Sequence, residues 1–441
     1  MTKQRSAFIA AMFMTSLVSL YFFANFQRAA VPGPIFNELQ TGLNIDAKMV
    51  TGIGAAFLYV YSFMQLVTGL LADRYGGCRI IALGGVIFAV GSIVFPLSDK
   101  LAALLPCVNE LWIICGARVL TGIGAGMIYL STVKEIDRLF PNSFTKVLGV
   151  SMLVGYCGSA FANTPLIWVT HRFGWRTALL GTGVLICVST VATLLFFMKI
   201  DKPEINRKNR LFSPAPYLDV FRNRNLIAML TASPLMYGTY YIMLTTIGKK
   251  LLEDAGKFSA PTAGLLTTCM VVICAGCQLI PGAIEKAVHY RRKILFMGQL
   301  TIGWSGVAFA LAGVLIPGWG RWLIAVGLWL LAVAGGCTPL TTSLFREISN
   351  PAGIGVALSL SNFCVYMIAG SGASFAGWLL EFFGRGGIVP IHDALGKETA
   401  VIYPARSYVA LLIMLLAIVS IAIVRGLRVP ETNGKNIYNQ R

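Results

Sequence analysis

The sequence predicts an all-α integral membrane protein of about twelve transmembrane helices, arranged as two related six-helix bundles. Composition, recurrent apolar runs and an internal repeat carry this expectation. Of the 441 residues, 56% are hydrophobic and 12% charged, with a mean hydropathy of +0.73. A soluble domain carries roughly 25% charged residues. Apolar runs of about 20 residues recur from end to end, each long enough to cross a hydrocarbon core about 30 Å thick. Lipid offers no partners to an open backbone, so such runs close their hydrogen bonds internally as helices. They lack the alternation of a lipid-facing barrel.

In chain order, the runs place helices at Phe8–Ala30, Val50–Leu71, Ile80–Pro96, Leu111–Val133, Val147–Thr170 and Thr177–Met198. The second set is Leu226–Ile247, Pro261–Ile284, Ile294–Ile316, Trp322–Phe345, Gly355–Phe383 and Tyr408–Val424. The first run is too long for the apolar core of a signal peptide and has no small-residue cleavage site, so it is read as a retained helix. Helix eight carries Cys274 and Cys277 in a C-x-x-C spacing, but with no βαβ context for redox chemistry. The ten cysteines imply no disulfide framework. His171, His289 and His392 lie far apart, in or near loops, so neither a metal site nor a cofactor is expected. Between helices six and seven lies a polar stretch, Lys199 to Asn225, with seven Lys/Arg and three Pro. The predicted organisation is an N-terminal six-helix bundle over residues 1–198, a cytoplasmic linker over 199–225, and a C-terminal bundle with a short cytoplasmic tail over 226–441.

The formal charge of +18 invites a nucleic-acid reading, but its distribution points elsewhere. With a cytoplasmic N-terminus, roughly two thirds of the Lys/Arg residues fall on cytoplasmic segments, which is the positive-inside signal. The basic surplus therefore orients the chain, with both termini cytoplasmic, and no nucleic-acid partner is expected. Only Arg28 and Arg118 fall within helices.

The repeat is visible at two places. Gln65-Leu66-Val67-Thr68-Gly69 at the end of helix two returns as Gln278-Leu279-Ile280-Pro281-Gly282 at the end of helix eight. Lys134-Glu135-Ile136 at the end of helix four returns as Arg346-Glu347-Ile348 at the end of helix ten. Both matches share an offset of about 213 residues, as expected of a duplicated six-helix unit. Parallel repeats of this kind are a transporter design with the substrate site near the bilayer midplane.

The segment Gly69-Leu70-Leu71-Ala72-Asp73-Arg74-Tyr75-Gly76-Gly77-Cys78-Arg79 resembles the loop between helices two and three of the major facilitator superfamily, G-x-L-A-D-R-x-G followed by basic residues. Gly77 and Cys78 stand at two positions that are often basic. Arg118-Val119-Leu120-Thr121-Gly122-Ile123-Gly124-Ala125-Gly126 is similar to the family's helix-four motif, and Pro430-Glu431-Thr432-Asn433-Gly434-Lys435 to its P-E-T-x-G ending. The resemblance spans nearly the whole chain. It implies the major facilitator fold, transport by alternating access and no enzymatic activity. It also implies a gating role for the loop, with Gly69 permitting close helix approach and Asp73 and Arg74 supplying charge to a helix end or a partner. Asn25-Phe26-Gln27-Arg28-Ala29 resembles helix one of the anion:cation symporter branch, whose arginine is associated with organic anions. Gln27 stands where that branch has an aspartate, and Ala125 where some members have a glutamate. Both departures weigh against proton coupling of that branch's type.

A charge within the bilayer costs roughly 2.5–3.5 kcal/mol on insertion scales, so the two intramembrane arginines are functional candidates. Arg28 lies beyond the midpoint of helix one, and the repeat pairs it with Tyr241 on helix seven. A guanidinium fork suits a carboxylate or phosphate, and tyrosine hydroxyls can complete the shell. Snorkelling to the outer interface, or pairing with an external acid, is the other reading of Arg28. Arg118 either lines the substrate path or braces helices through backbone carbonyls. Tyr237, Asn163, Asn362 and Gln27 are further candidate substrate contacts. All eighteen acids fall in loops or near helix ends. A cavity with arginine and no acid favours anionic or zwitterionic cargo. Glu135 and Glu347 are the nearest candidates for a proton-coupling carboxylate, and the favoured expectation is that they are gate residues salt-bridged with Lys134 and Arg346.

The expected function is transport of a small organic anion bearing a carboxylate or phosphate, with exchange or facilitated movement favoured over proton symport. An amino-acid or dipeptide transporter and a proton-coupled drug or metabolite exporter are the alternatives. A non-transporting membrane sensor is a third class. The expected setting is a bacterial inner membrane, with the bilayer and a small-molecule substrate as partners and a monomeric chain.

Overall fold

The structure, a computed structural model, describes residues 3–105, 107–140, 144–199, 215–284, 287–316, 318–350, 353–392 and 398–438. The helices in chain order are α1 Lys3–Ala30, α2 Phe36–Leu43, α3 Ala47–Tyr75, α4 Gly77–Val94, α5 Ser98–Leu104, α6 Glu110–Leu139, α7 Phe144–Phe161, α8 Thr164–Phe173 and α9 Trp175–Lys199. They continue as α10 Ala215–Arg222, α11 Arg224–Ile242, α12 Gly248–Asp254, α13 Ala260–Cys277, α14 Ile280–Ile284, α15 Arg292–Leu315, α16 Gly320–Gly336, α17 Thr338–Ile348, α18 Ile354–Gly384 and α19 Ala405–Gly426. Among the described residues, eleven helical stretches are long and apolar enough to cross a membrane. The 28-residue α1 is a further helix of that length.

Local chemistry sets several of the boundaries. The Asn109 side chain accepts from Leu111 N at 2.9 Å and Glu110 occupies the first turn, so α6 begins with a capped end and a favourably placed acid. Asn223 caps α11 in the same way through Asn225 N and Leu226 N. Gly76, at φ 87°, makes the left-handed turn between α3 and α4 that a side chain would strain. Residues 200–214 of the predicted linker lie outside the described residues, and α10 lies at its end.

Two compact units emerge from the contacts. The first is Met1–Val31 with Ala56–Phe212, and the second is Pro32–Ala55 with Ser213–Arg441. In the first, α4 packs along α6 and α1 along α7. A Cβ at Gly91 would lie 2.7 Å from Thr121 N, so small residues are what let α4 and α6 approach. In the second unit α15 packs along α16, and α11 contacts both α18 and α19. There a Cβ at Gly306 would lie 2.7 Å from Gly327 O and 2.9 Å from Leu331 N. Backbone cannot yield as a side-chain tip can. Gly306→Val is therefore expected to destabilise the protein by about 1–3 kcal/mol through forced separation of the two helices, read as a lower unfolding midpoint in detergent.

One expectation is corrected here. Helix seven does not stop at Ile247: a π turn, Met243–Ile247, leads into α12, and the apolar stretch extends to Asp254. The lysines at 249 and 250 are one turn from acids at 253 and 254, so the added turns carry their own ion pairs. The segment before the last helix has regular structure of its own. It holds an antiparallel hairpin, β1 Val389–His392 and β2 Glu398–Ile402, with Val389 opposite Ile402.

Candidate functional site

In the first unit, Tyr21, Asn25 and Arg28 occupy one face of α1 at i, i+4 and i+7. Arg28 is half-buried. Its Nη2 donates to Asn25 Oδ1 in a short hydrogen bond, its Nη1 reaches Tyr61 Oη at 3.5 Å, and its guanidinium lies 5.5 Å from the Tyr61 ring centroid. Asn25 and Tyr61 are neutral side chains that orient the guanidinium. Tyr61 in turn stacks on Phe57 at 5.6 Å, and Tyr21 stacks on Tyr129 at 5.3 Å.

Arg118 is 1% exposed. Its Nη1 donates to Gln27 O and its Nη2 to Val31 O, each at 3.3 Å, and the guanidinium lies 4.6 Å from the Phe57 ring. Its Nε has no hydrogen-bond partner. It ties the end of α1 to α6 through carbonyls, which is the bracing geometry of the two readings. Gln27 is 4% exposed, and its carbonyl is one end of that brace. Asn163 is 1% exposed and turns its Nδ2 back onto Ser159 O at 2.9 Å.

In the second unit, Tyr237, Tyr240 and Tyr241 on α11 and Tyr366 on α18 form one aromatic cluster, with centroids 5.4–6.0 Å apart. Tyr240 and Tyr241 are buried and Tyr237 and Tyr366 half-buried. Asn362 is half-buried one turn before Tyr366. The π turn follows this cluster directly, and such turns recur at functional sites.

The gating candidates divide. Glu135, 1% exposed, accepts from Cys78 N at the start of α4 at 2.9 Å and from Arg138 Nε at 2.8 Å. Lys134 donates to Ala72 O at the end of α3 at 2.7 Å. The expected Lys134 partner is thus replaced by Arg138, because consecutive helical residues point to different faces. Glu347 lies 2.6 Å from Arg292 Nε and accepts from Thr432 Oγ1, while Arg346 is exposed. The Asp73 side chain lies outside the described residues, and Arg74 is exposed over the Tyr75 ring. Gly69 has open space at its Cβ position, so the close approach expected there is not made. It is made by Gly126, against the Met64 side chain, and by Gly77, against Glu135.

Sequence reasoning missed a buried polar cluster in the second unit. Lys250 is 1% exposed and pairs with Asp254 at 2.9 Å, and it also donates to Val401 O. Asp254 Oδ2 accepts from Tyr403 N at 2.9 Å and from Tyr408 Oη at 2.6 Å. Tyr403 Oη donates to Glu381 at 2.6 Å and accepts from Gln40 at 2.7 Å. Burial and the adjacent Glu381 carboxylate raise the Tyr403 phenol above its ordinary range, so it stays a donor. Lys249 donates to Pro34 O at 2.8 Å and pairs with Glu253, which also accepts from Asn37 at 2.9 Å. Residues 32–55 join the second unit through these bonds. The signal was present as two overlapping i, i+4 pairs in Lys249-Lys250-Leu251-Leu252-Glu253-Asp254, uninterrupted by Gly or Pro.

Comparison with known proteins gives a consistent picture. The profile of the Major Facilitator Superfamily matches residues 17–298. Human monocarboxylate transporter 7 is 26% identical over 154 residues, 35% of this chain and 28% of that protein. The riboflavin transporter RibZ of Clostridioides difficile is 22% identical over 226 residues, 50% of this chain and 46% of that protein. The chain thus spans less than half the length of these two relatives. Among solved structures, a mutant of the nucleoside transporter NupG superposes with a TM-score of 0.70 at 13% identity, over 96% of this chain and 99% of that one.

Proposed function

The chain belongs to the major facilitator superfamily, and from that premise we propose that it moves a small organic anion, carboxylate- or phosphate-bearing, across the membrane by alternating access. The observation that carries this is Arg28: a half-buried guanidinium within a membrane helix, oriented by hydrogen bonds to Asn25 and Tyr61. A cation so placed gains most from a bound anion, because the low surrounding dielectric strengthens the pairing. The monocarboxylate relative supports the same substrate class. Arg118, closed in by α1 carbonyls, braces the fold in this reading. Glu135 and Glu347, each paired with an arginine, serve as inner latches. Both termini face the cytoplasm of a bacterial cell, in line with the charge distribution.

A zwitterionic amino acid or dipeptide is the second reading, since the same guanidinium would hold its carboxylate. A thermal-shift screen of the purified protein separates the readings. Monocarboxylates or organic phosphates are expected to raise the unfolding midpoint, and organic cations to leave it unchanged. Stabilisation by cations alone would contradict the proposal, and stabilisation by amino acids or dipeptides alone would select the second reading.

A further inference from the structure

We infer that the second unit holds a phospholipid of net negative charge, with an acyl chain in a groove between α15, α18 and α19 and the phosphate on Arg406. α15 and α18 both pack along α19, and between them opens a groove of about 800 Å³. α15 contributes Leu315, α18 contributes Leu379 and Phe383, and α19 contributes Val409, Ala410 and Ile413. From Arg406 to Ile413 the groove runs about 10 Å along the α19 axis. All three helices belong to stretches long and apolar enough to cross a membrane. Leu315 and Ile413 are 62% and 53% exposed, so the walls are open to surrounding lipid. Trp319, just beyond the end of α15, is 86% exposed, as suits a tryptophan at headgroup level. An acyl chain is the occupant that a membrane supplies to such a surface.

Lipid tails are as apolar as the groove, so an acyl chain alone brings no selectivity. Arg406 supplies it. Among the described residues that line the groove, it is the one polar side chain. It stands in the first turn of α19, where the helix dipole disfavours a cation and favours an anion. Its guanidinium is fixed rather than left to snorkel: Nε donates to Phe383 O at 2.7 Å and Nη2 donates to Arg385 O. The turn after α18, closed by Gly387 N donating to Gly384 O at 2.9 Å, wraps the same edge, and a Cβ at Gly387 would lie 3.2 Å from Nη2. Nη1 makes no hydrogen bond among the described residues. Arg385 brings a second exposed cation, its guanidinium 5.4 Å from the Phe382 ring centroid. Neither arginine has an acidic partner among the described residues. Two such cations at one end of an apolar groove suit the phosphodiester of a lipid whose headgroup adds no positive charge.

The test is native mass spectrometry of the purified full chain, titrated in detergent with palmitoyl-oleoyl phosphatidylglycerol or with the phosphatidylcholine of the same chains. Phosphatidylglycerol is expected to bind about 5-fold to 25-fold more tightly, roughly fivefold for each arginine that meets the headgroup. Arg406→Gln is expected to cut that preference about fivefold. Ala410→Trp is expected to abolish the bound lipid by filling the groove. Arg321→Gln, which removes an exposed cation at the start of α16, is expected to change neither. Equal affinity for the two lipids, or a preference that Arg406→Gln leaves intact, would overturn the inference. So would displacement of phosphatidylglycerol by inorganic phosphate, which would give the arginine to a free anion. A lipid-free dimer that Ala410→Trp abolishes would give the groove to a second copy of the chain and overturn it as well. Should Ala410→Trp fail to fold, the two lipids compared on the wild type and on Arg406→Gln still decide.

Discussion

Lys250→Met is expected to destabilise the protein by about 3–5 kcal/mol, the cost of leaving one member of a buried ion pair without its partner. Asp254 is 2% exposed, and Lys250 is the cation that offsets its charge. The two remaining donors, Tyr403 N and Tyr408 Oη, are neutral and bind a single oxygen. Removing the lysine also strands Val401 O. Asp254→Leu is expected to do comparable damage by leaving the lysine unpaired. The double variant Lys250→Met with Asp254→Leu is expected to recover much of the loss, because apolar pairs of similar volume substitute well for buried ion pairs. Denaturant unfolding in detergent, followed by tryptophan fluorescence, reads all three. Single variants that unfold at the wild-type midpoint would show the pair to be unimportant to the second unit.

This cluster also marks what could and could not be seen in the sequence. Helix positions were legible because apolar runs of bilayer length leave few alternatives, and the offset repeat exposed the duplication. Arg28 stood out for the same reason, as a charge in an otherwise apolar run. The end of helix seven was not legible from hydropathy, which drops at Lys249 although the helix continues. The π turn at Met243–Ile247 has no composition that announces it. Partners drawn from distant parts of the chain were hidden as well. Glu347 meets Arg292 rather than its neighbour Arg346, and Tyr403 meets Gln40 and Glu381, which no local spacing foretells. Arg118 was ambiguous because its geometry, not its location, separates a brace from a ligand.

Arg28→Ala is expected to weaken binding of the anionic ligand about tenfold to a hundredfold, the loss of one hydrogen-bonded charged contact of about 1.5–3 kcal/mol. Arg28→Lys should fall between the two, because an ammonium keeps the charge and loses the planar fork. The contact is electrostatic, so affinity for the wild type should fall as salt rises, while the residual affinity of the alanine variant should not.

The most direct measurement is calorimetric titration of the strongest stabilising anion into wild type, Arg28→Lys and Arg28→Ala under one buffer and two salt concentrations. The expected result is a graded loss of affinity in that order, with salt dependence confined to the proteins that keep the cation. Equal affinities across all three would contradict an arginine-read anion and return Arg28 to a structural role.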